Sequence, residues 1–170
     1  MGNVTTAESY SPALTAGYYA HATTAGYYAN AATTGFNAHA TTTGDGGRAT
    51  TAGNFSHATT VGDDAHATTA GNGSHALTAG DYAHATTTGR LAHALTAGDR
   101  AKTSVSGENA IAVAVGANSY ARAANGGFIV LAQYDEDTVV AVKTARVGKD
   151  GIKPDTWYKL SPTGKFVEAE

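Results

Sequence analysis

The sequence predicts an all-β chain, a β-solenoid of the β-roll or β-helix kind, built from nine-residue repeats with two repeats in each 18-residue coil. Three observations predict it. Glycine recurs every nine residues through twelve consecutive units, from Gly17 to Gly116, without a slip. Two small residues hold fixed places between the glycines: Ala stands five positions after glycine in eleven of the twelve units, and Thr seven positions after it in nine. A second period of 18 lies over the first, because Asp45, Asp63, Asp81 and Asp99 follow the glycine of alternate units only. Self-similarity at a short fixed period marks a stacked-repeat architecture, in which each unit completes its neighbour's core.

Composition agrees with this reading. The 170 residues include 36 Ala, 26 Thr and 21 Gly, nearly half the chain. Leu, Ile, Val and Phe total 24, so a core of large side chains is excluded for most of the length. Such scarcity signals disorder when it is joined to high net charge. The net charge is only -3, so an ordered fold with a small-residue interior stands.

Each part of the unit Gly-x-x-(Ala/Ser)-His-Ala-Thr-Thr-Ala has a physical reading. Glycine permits positive φ at a tight corner. The two residues after it are turn formers or aromatics, among them Asp45, Asn54, Asp63, Asn72, Asp81 and Asp99. The five residues from the histidine position onward form a short strand, whose side chains alternate between two faces. The near-invariant Ala and Thr are two apart and point inward. The histidine position, and those two and four residues after it, point outward. Nine residues are too few to close a two-sided coil, and the 18-residue period implies two nonidentical faces. Roughly six coils at about 4.8 Å each make a rod about 30 Å long.

The array covers residues 4–125, and residues 1–125 form the repeat domain. Its first units are degenerate, with Glu8 in the glycine position and Pro12 in the histidine position, and it decays at Ala123-Ala124-Asn125. Residues 126–170 have ordinary core composition and form a small β-meander, a cap or interaction domain. Phe128 to Ala132, Thr138 to Val147 and Thr156 to Leu160 read as strands, separated by the turns Asp135-Glu136-Asp137, Pro154-Asp155 and Ser161-Pro162-Thr163-Gly164. About 45 residues are marginal alone, so the meander is expected to dock on the last coils.

Several function classes are excluded or disfavoured. With no cysteine there is no disulfide framework, thiol nucleophile or zinc ribbon. No 18-residue apolar run exists, so no membrane span or membrane partner is expected. The start, Met1-Gly2-Asn3-Val4-Thr5, lacks a basic segment followed by an apolar one, so no secretory signal is read. Slight acidity argues against a nucleic-acid partner, which calls for a basic stripe. In the array Ser, His and Asp recur through tandem repetition, the opposite of a singular convergent catalytic set, so no catalytic residue is assigned.

The candidate binding features are four. His21, His39, His57, His75 and His93 form one column with neighbours about 4.8 Å apart. Two such imidazoles could share a metal ion, but no carboxylate or thiolate completes a site on that face. An exposed, pH-sensitive ladder is therefore expected, with no metal and no cofactor. The acidic column of Asp45, Asp63, Asp81 and Asp99 is similar to calcium-binding rolls, which need a paired-glycine motif that is missing here. Charge balance with Arg48 and Lys102 is expected instead. Tyr10, Tyr18, Tyr19, Tyr27, Tyr28 and Phe36 cluster at the N-terminal corners, as an interface, a sugar-stacking patch or a cover for the end. Outward positions of the five-histidine face turn apolar late in the array, at Leu77, Leu95, Ile111, Val113 and Val115. With Trp157 of the tail they form the expected interface, covered by self-association or by the tail. Outward Thr is mixed with His, Leu and Ala, which does not make the flat threonine array of an ice-binding surface.

Two resemblances follow. Asn109-Ala110-Ile111-Ala112-Val113-Ala114-Val115-Gly116, followed by Asn118-Ser119-Tyr120-Ala121, resembles the head repeats of trimeric autotransporter adhesins over that short stretch. Nearly the whole chain resembles uncharacterised phage and prophage proteins of gut bacteria. Those have tandem Ala-Thr-Thr-Gly units and a tail like Ile152-Lys153-Pro154-Asp155-Thr156-Trp157-Tyr158-Lys159-Leu160. This resemblance implies a phage or mobile-element origin, and with no secretory signal read, a place in the host cytoplasm or the virion is expected. The expected function is non-enzymatic recognition of a protein partner, a host factor or a second copy in a homo-oligomer. An inhibitor of a host defence system such as CRISPR is one form of that role. The alternative is an oligomeric tail-fibre or adhesin-like module that binds a surface glycan or receptor.

Overall fold

A computed structural model describes residues 2–169, which form eighteen strands and no helix. In chain order these are β1 (Asn3–Thr6), β2 (Pro12–Ala16), β3 (His21–Ala25), β4 (Asn30–Thr34), β5 (His39–Thr43), β6 (Arg48–Ala52), β7 (His57–Val61), β8 (His66–Ala70), β9 (His75–Ala79), β10 (His84–Thr87), β11 (His93–Ala97), β12 (Lys102–Val105), β13 (Ile111–Ala114), β14 (Tyr120–Ala123), β15 (Phe128–Asp135), β16 (Thr138–Arg146), β17 (Tyr158–Leu160) and β18 (Phe166–Glu168). Odd strands from β1 to β15 make one sheet, completed by β16. Even strands from β2 to β14 make the other, completed by β17 and β18. The chain is a β-solenoid, and one coil takes 18 residues: His21 pairs with His39, His39 with His57, and Ala49 with Ala67, all in parallel register.

The stack runs past the composition change. β15 pairs parallel with β13, Ile111 opposite Phe128, so the odd sheet gains another rung from the tail. Seven steps of about 4.8 Å then separate β1 from β15, about 34 Å and one step more than the repeat alone implies. The tail ends each sheet with an antiparallel ribbon: β16 folds back on β15, and β17 with β18 closes on β14 through Ala121 and Tyr158. It therefore caps the rod end-on and leaves the outer faces of the earlier coils uncovered.

The interior is three rows deep in each sheet. Positions three, five and seven after each glycine are buried, as in Ala20, Ala22 and Thr24. Small side chains bring the sheets close, and each contributes little apolar area at about 25 cal/mol per Å². Larger core residues appear only at the C-terminal end, where Val105, Ile129, Leu131, Val147 and Tyr158 are buried. Eight of the inward threonines, from Thr24 to Thr87, have a buried hydroxyl with no hydrogen-bond partner among the described residues. Thr96 differs, because its hydroxyl lies 2.9 Å from that of Thr103.

The corners place two positive-φ residues: the column glycine itself, from Gly17 to Gly80, at φ 124 to 157° as the sequence reading expects, and the second residue after it. That second residue is left-handed: Tyr19, Asn37, Phe55, Asp64 and Leu91 all have φ between 53 and 58°. Gly46 and Gly73 fill the same place in their own units, at φ 67 and 63°. Close approach between coils also demands glycine in this column, and does so alone from Gly89 to Gly116, where φ is not positive. A Cβ on Gly98 would overlap the carbonyl oxygen of Gly80 one coil below, although Gly98 itself is not left-handed. The corner backbone is paired between coils as the strands are, for example Phe55 N–H to the Asn72 carbonyl at 2.9 Å and Tyr82 N–H to the Asp99 carbonyl at 2.9 Å.

Candidate interaction surfaces

Strand alternation and the 18-residue register sort the side chains into four flanks. The outer face of the odd sheet carries three rows. One edge row runs His21, His39, His57, His75, His93, Ile111, Phe128. The central row runs Thr23, Thr41, Thr59, Leu77, Leu95, Val113, Val130. The far edge row runs Ala25, Thr43, Val61, Ala79, Ala97, Val115. These three rows hold no Asp, Glu, Lys or Arg. Charges flank them at the C-terminal end: Asp135 closes β15, and Arg146 on β16 places its guanidinium carbon 5.8 Å from the Phe128 ring centre.

The histidine ladder forms as its spacing predicts. Successive ring centres are 4.8, 4.7, 5.0 and 5.1 Å apart, and the first three pairs are within 8° of parallel. Lone pairs lie in the ring plane, so parallel rings direct them side by side rather than toward one shared ion. Burial, and then the neighbouring imidazoles, hold His39, His57 and His75 below the ordinary histidine range. No group of three or more His, Cys, Asp or Glu is placed to hold a metal ion among the described residues.

Beside the later histidines lies a shallow apolar groove of about 440 Å³, lined by His57, Leu77, His93, Leu95, Ile111 and Val113. Leu77 is 42% exposed and Phe128 39%. The structure thus keeps Leu77, Leu95, Ile111, Val113 and Val115 together in one strip. It separates Trp157 from them, on the opposite sheet.

The even sheet's outer face is cationic. Asn30, Arg48, His66, His84, Lys102 and Tyr120 run along one row, and Thr50, Thr68, Thr86, Ser104 and Arg122 along the next. Neither row holds an acid. At its C-terminal end the Trp157 ring centre is 4.6 Å from the Arg122 guanidinium carbon and 5.8 Å from Lys102 Nζ, and Lys102 Nζ is 5.6 Å from the Tyr120 ring centre. Cation–π contacts of this kind hold the charged heads in place. Arg122 Nε also donates to Ser104 Oγ at 2.8 Å. The ion pairs among the described residues are Arg90 with Glu108 and Lys153 with Glu168, so Arg48, Lys102 and Arg122 sit in none. Burial, followed by Arg48 for His66 and by His66 and Lys102 for His84, lowers the pKa of both histidines, with Asp64 opposing.

The acidic column has a structural occupation. Asp45, Asp63, Asp81 and Asp99 each accept a backbone N–H from the next coil, at 3.1, 2.9, 2.8 and 2.9 Å. Asn54 and Asn72 do the same at the opposite corner, at 2.9 Å each. The expected balance of Asp45 with Arg48 and of Asp99 with Lys102 does not take the form of ion pairs. The aromatics divide between the two corners. Tyr10 stacks on Tyr28 at 5.6 Å along one edge, whereas Tyr18 meets Phe36 at 6.2 Å and Phe36 meets Phe55 at 5.4 Å along the other. Tyr19 and Tyr27 are exposed beside these ridges.

No protein-family model, curated protein or solved structure matches the chain. The Lys102–Tyr120–Arg122–Trp157 cluster is a surface feature that the repeat pattern did not single out. Its signal was present, because Lys102 and Tyr120 share one 18-residue column and Ser104 and Arg122 another.

Proposed function

We propose that the chain is a non-enzymatic recognition protein whose even-sheet face binds an acidic surface of a protein partner. The observation that carries this reading is the cluster of Trp157, Arg122, Lys102 and Tyr120, in which preorganised cations have no acidic partner among the described residues. Trp, Tyr and Arg are the residue types that dominate interface energetics. A cationic patch meeting an acidic one steers encounter and fixes register. The resemblance to phage and prophage proteins favours a host factor as that partner. A rigid rod lying on an acidic surface excludes whatever else docks there, which is how an inhibitor of a host defence protein would act. The exposed aromatic ridges favour a second reading, a fibre or adhesin-like module that stacks sugar rings.

Capture from host lysate, with virion proteomics alongside, tests the choice. The first reading expects one host protein retained by the wild-type chain, released by high salt, and lost with Arg122→Ala and Trp157→Ala. Retention unchanged by both variants refutes it. Recovery of the chain as a stoichiometric part of virions supports the second reading.

A further inference from the structure

We infer that the outer face of the odd sheet is a homodimer interface, with a two-fold axis running along its central row. This uses the sheet opposite the cationic face and stands or falls separately from the function proposed above.

Four observations on one surface point to a second copy of this chain. The three rows of the face hold no Asp, Glu, Lys or Arg, so a copy of the same face packs against them without desolvating such an ion, a cost that an arbitrary partner surface would impose. Its extent is adequate. About 34 Å of stacked strands by about 16 Å of strand length gives about 540 Å² per copy, so a pair clears the roughly 1,000 Å² that a specific interface needs. The apolar residues of the central row lie at one end, Leu77, Leu95, Val113 and Val130, with Thr23, Thr41 and Thr59 at the other. An axis along the rod lays the apolar end on the apolar end. An axis across the rod would lay it on the threonines.

Shape gives the same answer. A two-fold along the central row exchanges the two edge rows. The bulky row of His75 and His93 then faces the partner's small row of Ala79 and Ala97 at the same level, and Ile111 faces Val115. Large side chains meet small ones, which is how packed layers interdigitate. Central-row residues meet their own copies, Leu95 on Leu95 and Val113 on Val113.

The absence of cysteine from the sequence makes the test direct. The wild-type chain, 17.1 kDa, should sediment at twice that mass. Leu95→Lys sets two ammonium groups against each other and should give the monomer, with an unchanged circular dichroism spectrum because the side chain points out of the fold. Thr68→Lys, central in the even sheet, should leave the dimer intact. Val113→Cys should give a covalent dimer with a bis-maleimide linker that spans the roughly 10 Å between facing sheets, and Thr86→Cys should not. A wild-type monomer at all concentrations overturns the inference. So does a dimer that survives Leu95→Lys, or one in which Val113→Cys fails to cross-link.

Discussion

Replacing Thr60 by Val should stabilise this protein. The Thr60 side chain is 1% exposed, and its hydroxyl has no hydrogen-bond partner among the described residues. Burying an unpaired hydroxyl costs about 1–3 kcal/mol in protein mutational series. Valine replaces that hydroxyl with a methyl of similar volume and keeps the β-branched shape that strands favour. The chain itself shows that the position accepts valine, since Val105 occupies the same inward place and is 1% exposed. Allowing part of the gain to be lost to the slightly larger methyl, the net should be about 1 kcal/mol, or roughly 3 °C in Tm for a chain of this size. Thr96→Val is the control. It removes a hydroxyl that bonds Thr103, although Thr103 keeps its second bond, to the Val113 carbonyl at 3.0 Å. That substitution should be neutral or destabilising. Scanning calorimetry on both variants decides the matter. A Thr60→Val protein that melts several degrees lower would mean that the hydroxyl is satisfied in the folded state, and the reasoning would fail.

Two further outcomes are expected. Gly98→Ala should cost about 3 kcal/mol or more, because the new Cβ must push two coils apart where overpacking alone costs about 1–3 kcal/mol and corner hydrogen bonds then lengthen. A Tm fall of less than about 3 °C would remove close approach as the reason for glycine there. Stability should also fall as pH drops below about 6.5, the ordinary histidine value in the unfolded chain. Burial lowers the folded-state pKa of His39, His57, His66, His75 and His84, so the unfolded chain takes up protons first and is favoured on acidification. Above that pH these groups are neutral in both states and contribute no slope. Melting curves from about pH 8 to pH 5 should show this, and His57→Gln should flatten the decline; equal slopes for variant and wild type would contradict it.

The coil was legible because stacking copies one physical environment every 18 residues, and selection for that environment writes a period into the sequence. Ala22 and Thr24 announce their burial by recurring, and His21 to His93 announce their column in the same way. The left-handed corner residue was not legible. Tyr19, Phe55, Leu91 and Arg100 share a backbone conformation but no side-chain chemistry, since the side chain points to solvent and only φ is constrained. The role of Asp45 and its column was hidden for a related reason. An acid that accepts a neighbouring coil's N–H looks, in sequence, like any exposed acid. The place of Trp157 was beyond periodic reasoning altogether, because it lies in the aperiodic tail, and only the antiparallel closure of β17 on β14 brings it over Arg122. The extra rung at β15 was masked by a spacing of 17 rather than 18, from Ile111 to Phe128.

The register between coils sets how a protein of this kind can change in length. Excising residues 54–71 would join Gly53 to Asn72, leave each remaining side chain on its present flank and merely shorten the rod by about 4.8 Å. Excising nine residues would also preserve the local strand and corner pattern, yet every row beyond the cut would change sides. The downstream histidines would then continue the cationic row, and Lys102 and Arg122 would move onto the uncharged face. Gene-level gain or loss in such an array is thus quantised. Whole coils are tolerated as changes of reach, and half coils scramble what the surface can recognise while leaving the core able to fold.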